Sequence, residues 1–205
     1  MYNRNKGFTL IELLIIIGII GFLAAAILVA VDPVRRIQEA RDAKRWAEVN
    51  GILNAILTKQ VDDKEYFDGA STAPVISSDD KAQVIISAED LLVGARLCNG
   101  LNKPTCAGLP VGITLDTSGA DKKCVANLHD AVTPANSLDP TYIASIPVEP
   151  HGAGWDPDGA GGDTPAIGTN NTGYYIHRRT SNRIEIGSCW AEQTATAPKG
   201  ISTMR

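Results

Sequence analysis

One carboxylate, Glu12, lies near the start of a long apolar run. The run carries no charge from residue 13 to residue 31, and a short basic stretch with Arg4 and Lys6 precedes it. As a helix it would span roughly 28 Å at about 1.5 Å per residue, close to the hydrocarbon thickness of a bilayer. An acid inside such a span costs up to roughly 3 kcal/mol and is functional by default. The position of Glu12 therefore indicates a specific task for this carboxylate.

Three kinds of segment fit the apolar run by length: a permanent anchor, a secretory signal peptide, and a helix stored in the membrane before it joins an assembly. The basic start and the small residues at 24–26 suit a signal peptide. Neither a signal peptide nor a plain anchor gains anything from Glu12. The basic residues after the run are interleaved with acids, so they indicate the surface of a helix and leave the orientation open. These basic residues are Arg35, Arg36, Arg41, Lys44 and Arg45.

The stretch Lys6-Gly7-Phe8-Thr9-Leu10-Ile11-Glu12 resembles the cleavage and methylation signal of type IV prepilins and pseudopilins. It combines a basic leader that ends in glycine, a following phenylalanine, a glutamate fifth in the remaining chain, and a long apolar helix. The resemblance implies that a prepilin peptidase cuts between Gly7 and Phe8 on the cytoplasmic side and N-methylates Phe8. It also implies an α+β, pilin-like fold, in which a long hydrophobic-then-amphipathic helix packs on a small antiparallel sheet with a loop-rich, disulfide-bonded C-terminal region.

Cleavage would also give Glu12 a partner, because it creates a positive amine on Phe8 that a neighbouring subunit could offer. A buried ion pair sets register more than it adds stability, so we expect Glu12 to matter for assembly more than for folding. The resemblance implies a helical homo-oligomeric filament built with a pilus assembly ATPase and platform proteins. It further implies single-pass storage in the inner (cytoplasmic) membrane before the filament becomes extracellular or periplasmic.

Together with the resemblance, the sequence leads us to expect a leader (1–7), a transmembrane or filament-core helix (8–32), an amphipathic continuation (33–63), and a globular pilin-like domain with a C-terminal hairpin and a mobile tail (64–205). Pro33 would kink the helix or begin a new one capped by Asp32. We predict a short helix at 87–97 and strands at 111–115, 141–146, 173–179 and 182–188. The apolar positions at helical spacing are Ile37, Ala40, Ala43, Ala47, Ile52, Leu53, Ile56 and Leu57.

Four cysteines, Cys98, Cys106, Cys124 and Cys189, lie downstream of the apolar run. They form no CxxC pair and have no histidine at zinc-like spacing. An even count behind an export segment therefore indicates two disulfides outside the cytoplasm. The simplest pairing joins Cys98 to Cys106 and Cys124 to Cys189, and two other pairings are open. Metal binding or free thiols in a reducing compartment is the alternative.

The glycine-rich stretch WDPDGAGGD at 155–163 contains Asp156, Asp158 and Asp163. Calcium favours carboxylates on tight loops. The flanking IPVEPHG and GYYIH resemble the region where the major pseudopilin of type II secretion binds calcium. The spacing is not that of an EF-hand, and the composition favours a solvated turn as the alternative. Calcium is thus the cofactor that the sequence suggests, and none is required.

Composition and motifs limit the other functions. The 205 residues, 44% apolar and 20% charged, fit one modest domain plus an extra element. The net charge of −4 disfavours nucleic acid as a direct partner. We expect no enzyme, because His129, His151 and His177 are scattered and no local catalytic motif occurs.

The main prediction is a structural subunit of a type IV pilus, in adhesion, motility, DNA uptake or secretion. The alternatives are a type II secretion pseudopilin and a secreted binding or hydrolytic domain with an ordinary signal peptide.

Overall fold

The computed structural model describes residues 7–64, 76, 80–86, 106, 109–110, 112–115, 125–129, 137–151, 171–192 and 200–205. The chain divides into two compact units, Met1–Ala40 and Arg41–Arg205. The second is called the globular unit below. The predicted helix at 87–97, the aspartates of the predicted calcium loop, Cys98 and Cys124 all lie outside the described residues.

Helix α1 (Leu10–Val31) is the apolar run, and it buries none of its residues within the chain. The helical stretch from Leu10 contains one segment that is long and apolar enough to cross a membrane. The helix ends at Asp32, which adopts a left-handed conformation with φ 44°. Helix α2 (Pro33–Asp63) begins immediately afterwards, and the Arg35 N–H donates to Asp32 Oδ1 at 3.3 Å. The prediction of a second helix that Pro33 opens and Asp32 caps is therefore confirmed.

The buried side of α2 differs from the predicted apolar face in its first half. Ile52, Leu53 and Ile56 are buried as predicted. Ile37, Ala40, Ala43 and Ala47 are exposed. The side chain of Arg45, which the sequence places on a helical surface, is fully buried, and that prediction is wrong. The reason is that distant acidic residues surround Arg45 and satisfy its charge. The buried positions of α2 are Asp42, Arg45, Val49, Ile52, Leu53, Ala55, Ile56 and Lys59.

The globular unit contains one five-stranded sheet in the order β2-β1-β3-β4-β5. All neighbouring strands are antiparallel except β1 and β2, which are parallel. The α+β class and the small, mainly antiparallel sheet are confirmed, and the parallel edge strand is an addition. The strands are β1 (Ala82–Ile86), β2 (Val125–Asn127), β3 (Asn171–Arg178), β4 (Ile184–Ser188) and β5 (Ser202–Met204).

The predicted hairpin is formed by β3 and β4, with Ile176 opposite Ile186. The predicted mobile tail is wrong at its end, because β5 pairs with β4 and places Thr203 opposite Ile186. The predicted strand at 141–146 is also wrong. It consists of turns and bends, in which the Tyr142 and Ile143 N–H groups donate to the Leu138 carbonyl. Of the predicted strand at 111–115, the described residues 112–115 contribute only an isolated bridge from Leu115 to Ala82.

The two faces of the sheet bury different clusters. One face packs against α2, where Ile52 and Ile56 join Ile176 and Ile186. The other buries Tyr175, Cys189 and Trp190. On this second face the Tyr175 ring covers Gly187, where a Cβ would lie 2.5 Å from the ring. The alternation of side chains along β3 therefore makes the sheet the middle layer of the unit.

Candidate processing and assembly site

The peptide bond between Gly7 and Phe8 lies outside the helix in an exposed segment. Gly7 and Phe8 precede the first helical residue, and Phe8 is 84% exposed. Thr9 is the N-cap, with φ −81° and ψ 150° in the extended region. The structure thus places the predicted cleavage and methylation positions side by side on an accessible stretch of chain.

Glu12 and Thr9 form a capping box at the start of α1. The Thr9 N–H and the Thr9 hydroxyl both donate to Glu12 Oε2 at 2.8 Å, and the Glu12 N–H donates to Thr9 Oγ1 at 3.3 Å. Such a box satisfies backbone N–H groups that the first turn of a helix leaves unpaired. Glu12 therefore has a local structural role that the sequence analysis did not assign, in addition to its predicted role in assembly.

A buried ionic cluster lies in the globular unit, and sequence reasoning missed it. Its centre is Arg45. The Arg45 Nε donates to Glu149 Oε1 at 2.9 Å, and Nη2 contacts the same oxygen. Nη1 donates to Asp42 Oδ1 at 2.6 Å, and Nη2 donates to Glu192 Oε1 at 3.0 Å. Burial lowers the pKa of Arg45, but hydrogen bonds and charge from these three carboxylates outweigh it, so the net shift is upward.

The backbone brings Glu149 close to β3, and a glycine makes this approach possible. The Glu149 N–H donates to the Thr172 carbonyl at 2.8 Å. At Gly173, with φ 77°, a Cβ would lie 2.7 Å from the Glu149 Cβ. A side chain at this position would strain the left-handed backbone and collide with Glu149. Glycine, which has no Cβ, avoids both energetic costs. A glycine two residues into β3 therefore helps to set the position of an acidic side chain against Arg45.

The cluster also includes His151. Its Nδ1 lies 3.1 Å from Glu149 Oε2, and its Nε2 lies 3.5 Å from Glu192 Oε1. The His151 N–H donates to Glu149 Oε2 at 2.7 Å. Both ring nitrogens therefore face carboxylates that also contact Arg45.

Among the described residues, the contacts of the other two histidines differ from those of a hydrolase triad. His129 Nδ1 lies 2.8 Å from Asp139 Oδ1, and the Ser137 hydroxyl donates to the same oxygen at 2.7 Å. In a hydrolase triad the histidine stands between the serine and the acid, whereas here the acid stands between them. His177 is buried, with Nε2 3.0 Å from Asp80 Oδ1. The contact of His177 ties the segment that contains Asp80 to β3.

The described disulfide joins Cys106 to Cys189, with the Cα atoms 4.4 Å apart. The predicted pairing of Cys98 with Cys106 and Cys124 with Cys189 is therefore wrong. Cys189 directly follows β4, and Cys106 packs with it against the second face of the sheet. Proximity in the fold, rather than the shortest loop in sequence, decides the pairing.

Two comparisons with known proteins found similarity, one of them located in the N-terminal segment. Residues 2–28 match the family model described as the prokaryotic N-terminal methylation motif. A protein named fimbrial protein from Moraxella nonliquefaciens is 39% identical over 71 residues, which cover 35% of this chain and 45% of that protein. The chain thus spans less than half the length of this curated relative. No solved structure gives a significant match. The chain therefore carries the prokaryotic N-terminal methylation motif and is similar over part of its length to a fimbrial protein.

Proposed function

We propose that the chain is the structural subunit of a type IV pilus-like filament. One observation carries the proposal: the methylation motif coincides with an exposed Gly7–Phe8 bond immediately ahead of a capped helix that buries none of its apolar side chains. Apolar surface on this scale requires a lipid or protein environment. A helix stored in a membrane and later packed among other copies meets that requirement at both stages.

In the proposed sequence of events, a prepilin peptidase removes residues 1–7 and N-methylates Phe8. The subunit then rests in the inner membrane through α1. A pilus assembly ATPase and platform proteins transfer it into a helical homo-oligomer outside the cytoplasmic membrane. The chain contributes packing and register to this process and performs no catalysis of its own. Calcium at Asp156, Asp158 and Asp163 remains a prediction.

The name of the fimbrial relative favours a pilus over a secretion pseudopilus. The pseudopilin of a type II secretion system is the second candidate, because the flanks of the aspartate-rich loop resemble that class. Electron microscopy of cells that express the chain at its natural level separates the two. Long surface filaments support the pilus. A secretion defect on gene deletion, without surface filaments, supports the pseudopilin.

The mature N-terminus provides the direct test of processing. We expect mass spectrometry of the protein from its native membrane to show a chain that starts at N-methylated Phe8. A catalytically inactive peptidase strain provides the control and should retain residues 1–7. A mature chain that starts near Ile27 would show an ordinary signal peptide and overturn the proposal.

Replacing Glu12 should impair assembly without unfolding the globular unit. We expect both Glu12→Ala and Glu12→Gln to weaken each subunit addition about tenfold, which corresponds to about 1.4 kcal/mol, and so to reduce filament yield. Glutamine can keep the capping box, so Glu12→Gln removes the charge while retaining the helix start. The measurement is filament mass after shearing, with thermal melting of the membrane-extracted subunit as the folding check.

The matched control is Glu39→Gln, because Glu39 is an acid on α2 that pairs locally with Arg35 at 3.1 Å. This variant should assemble normally. Normal filament yield from Glu12→Gln would show that the charge of Glu12 has no role in pairing with a neighbouring subunit.

A further inference from the structure

Positive side chains are concentrated at one end of the sheet, around the turn that joins β3 to β4. The side chains at positions 80–81, 178–185 and 205, called the basic end below, carry five positive and two negative charges, whereas the net charge of the whole chain is −4. The overall charge therefore hides a local positive surplus. The positive residues are Lys81, Arg178, Arg179, Arg183 and Arg205, and the negative residues are Asp80 and Glu185.

Strand pairing brings these residues together from distant parts of the sequence. The register of β1 on β3 places Lys81 opposite Arg178, and Arg178 pairs with Ile184 on β4. Ile184 and Arg205 exchange backbone hydrogen bonds at 3.0 Å and 3.1 Å. Lys81, Arg178 and Arg205 therefore share one row across the neighbouring strands β1, β3, β4 and β5. At about 4.8 Å per strand, this row spans roughly 14 Å.

The turn between β3 and β4 adds a second row and orients one arginine of the first. The Arg179 N–H donates to the Arg183 carbonyl at 2.9 Å, so these two residues face each other across the turn. Asn182 adopts a left-handed conformation with φ 61°, and its Oδ1 accepts from Nε and Nη2 of Arg178 at 3.2 Å and 3.0 Å. A guanidinium that is already oriented loses less conformational entropy when it binds a partner.

Two of the five cations are available to a partner in solution. Arg183 and Arg205 are exposed, and neither forms an ion pair with another residue of the described ranges. Glu185 is buried and lies 3.5 Å from Arg179, whose side chain is still 42% exposed. Asp80 Oδ1 contacts the ring of a buried histidine at 3.0 Å. The acids of the basic end therefore leave Arg183 and Arg205 without a local counter-charge.

The geometry of the basic end fits a linear polymer of phosphates. Duplex DNA carries one negative charge per about 1.7 Å of its axis, so a row of roughly 14 Å meets several phosphates at once. Arginine matches phosphate with paired hydrogen bonds. The exposed hydroxyls of Thr180 and Ser181 at the tip of the turn are further donors of the kind that contact phosphate oxygens.

The same residues disfavour two other modes of binding. Tyr174 and Tyr175 on β3 are buried, so the hairpin offers no aromatic ring on which an unpaired base would stack. Within the described part of the basic end, no large apolar side chain is exposed that would enter a bilayer. The surface is therefore suited to a charged backbone rather than to bases or lipid chains.

We propose that the basic end binds the sugar–phosphate backbone of double-stranded DNA without reading its sequence. Arg183 and Arg205 supply exposed charge, and Arg178 supplies an oriented guanidinium. The sequence-based expectation against nucleic acid considered the net charge of the whole chain, whereas a polyanion responds to the local field. The binding requires a single subunit. Its failure therefore leaves the filament proposal unaffected, and the absence of filaments leaves this proposal unaffected.

The test is fluorescence anisotropy of a labelled duplex of about 20 base pairs, titrated with the full chain in nonionic detergent. We expect a Kd of about 10 µM at about 50 mM NaCl, equal for two duplexes of unrelated sequence. Contact with about three phosphates should give a slope of about −3 when the logarithm of the association constant is plotted against the logarithm of the salt concentration.

Paired substitutions locate the binding surface. Changing both Arg183→Gln and Arg205→Gln should weaken binding about tenfold or more and reduce the steepness of the salt slope by about two. Changing both to lysine keeps the charge and should retain the wild-type slope. The matched control changes both Arg35→Gln and Arg36→Gln, because these exposed arginines pair with Glu39 on α2. This control removes the same charge and should bind as the wild type does.

Absent binding by the wild type overturns the proposal, as does equal binding by the glutamine double variant of Arg183 and Arg205. Poly-glutamate has a lower charge density, about one charge per 3.4 Å when extended, and should bind more weakly than the duplex. Equal affinity for poly-glutamate would assign the basic end to acidic proteins and overturn the proposal. Tighter binding of single-stranded poly-dT than of the duplex would show base stacking and also overturn it.

Discussion

Replacing Arg45 with leucine should lower the free energy of unfolding of the globular unit by about 3–5 kcal/mol. The substitution leaves Asp42 and Glu149 buried without their cation, and an uncompensated buried carboxylate is among the costliest single defects in a protein. The measurement is urea unfolding of the full chain in detergent, followed by tryptophan fluorescence, to which Trp190 on the opposite face of the sheet contributes.

Two matched variants separate charge from geometry at Arg45. Arg45→Lys keeps the positive charge, but its single ammonium nitrogen cannot reproduce the planar fork by which Arg45 reaches the carboxylates through three separate nitrogens, so it should recover only part of the loss. Arg35→Leu removes an exposed arginine that pairs with Glu39 on the same helix, and it should change stability by less than about 1 kcal/mol. Equal stability of Arg45→Leu and Arg35→Leu would contradict the central role assigned to Arg45.

Removing the Cys106–Cys189 disulfide should destabilise the globular unit by about 3–4 kcal/mol. The two residues are 83 positions apart, and a cross-link that closes a long loop restricts the unfolded chain strongly. We expect Cys106→Ser, Cys189→Ser and the double variant to lose similar amounts, because all three remove the same bond. Urea unfolding under non-reducing conditions measures the loss.

Peptide mapping without reduction provides the check on connectivity. A linked peptide that contains Cys106 and Cys189 should be found. Linkage of Cys98 to Cys106, with Cys124 linked to Cys189, would contradict the structure. Losses that add in the double variant would show that the two cysteines act separately.

The features that the sequence predicts well are local. The apolar run and the break at Pro33, with its Asp32 cap, each depend on residues within a few positions of one another. The same holds for the β3–β4 hairpin, where two apolar stretches flank a short polar turn. Local preferences of this kind do not depend on tertiary contacts, so the sequence pattern alone is sufficient to predict these features.

The features that the sequence predicts poorly depend on distant partners. Arg45 stands among other charged residues, as a surface residue would, and its main partners Glu149 and Glu192 lie 104 and 147 positions away. The one local signal was Asp42, three residues before Arg45 on the same helix face. The strand β5 was missed because three residues, Ser202–Met204, carry too short a pattern to distinguish from a tail.

The cysteine pairing failed for a related reason. The prediction preferred the short loop between Cys98 and Cys106, since small loops are simple to close. In the fold, Cys106 and Cys189 meet on one face of the sheet, where Tyr175 and Trp190 also pack. Sheet topology brings residues together regardless of their separation in sequence, and four cysteines alone carry no information about that topology.

The capping box at the start of α1 uses only one of the two oxygens of the Glu12 carboxylate. Both hydrogen bonds from Thr9 end on Glu12 Oε2, so Oε1 is not used by the box. In the proposed filament, Oε1 could receive the amine of a neighbour while Oε2 continues to hold the first helical turn. Docking and local folding would then be thermodynamically linked through one side chain. Thr9 would influence the affinity between subunits without touching the neighbouring chain.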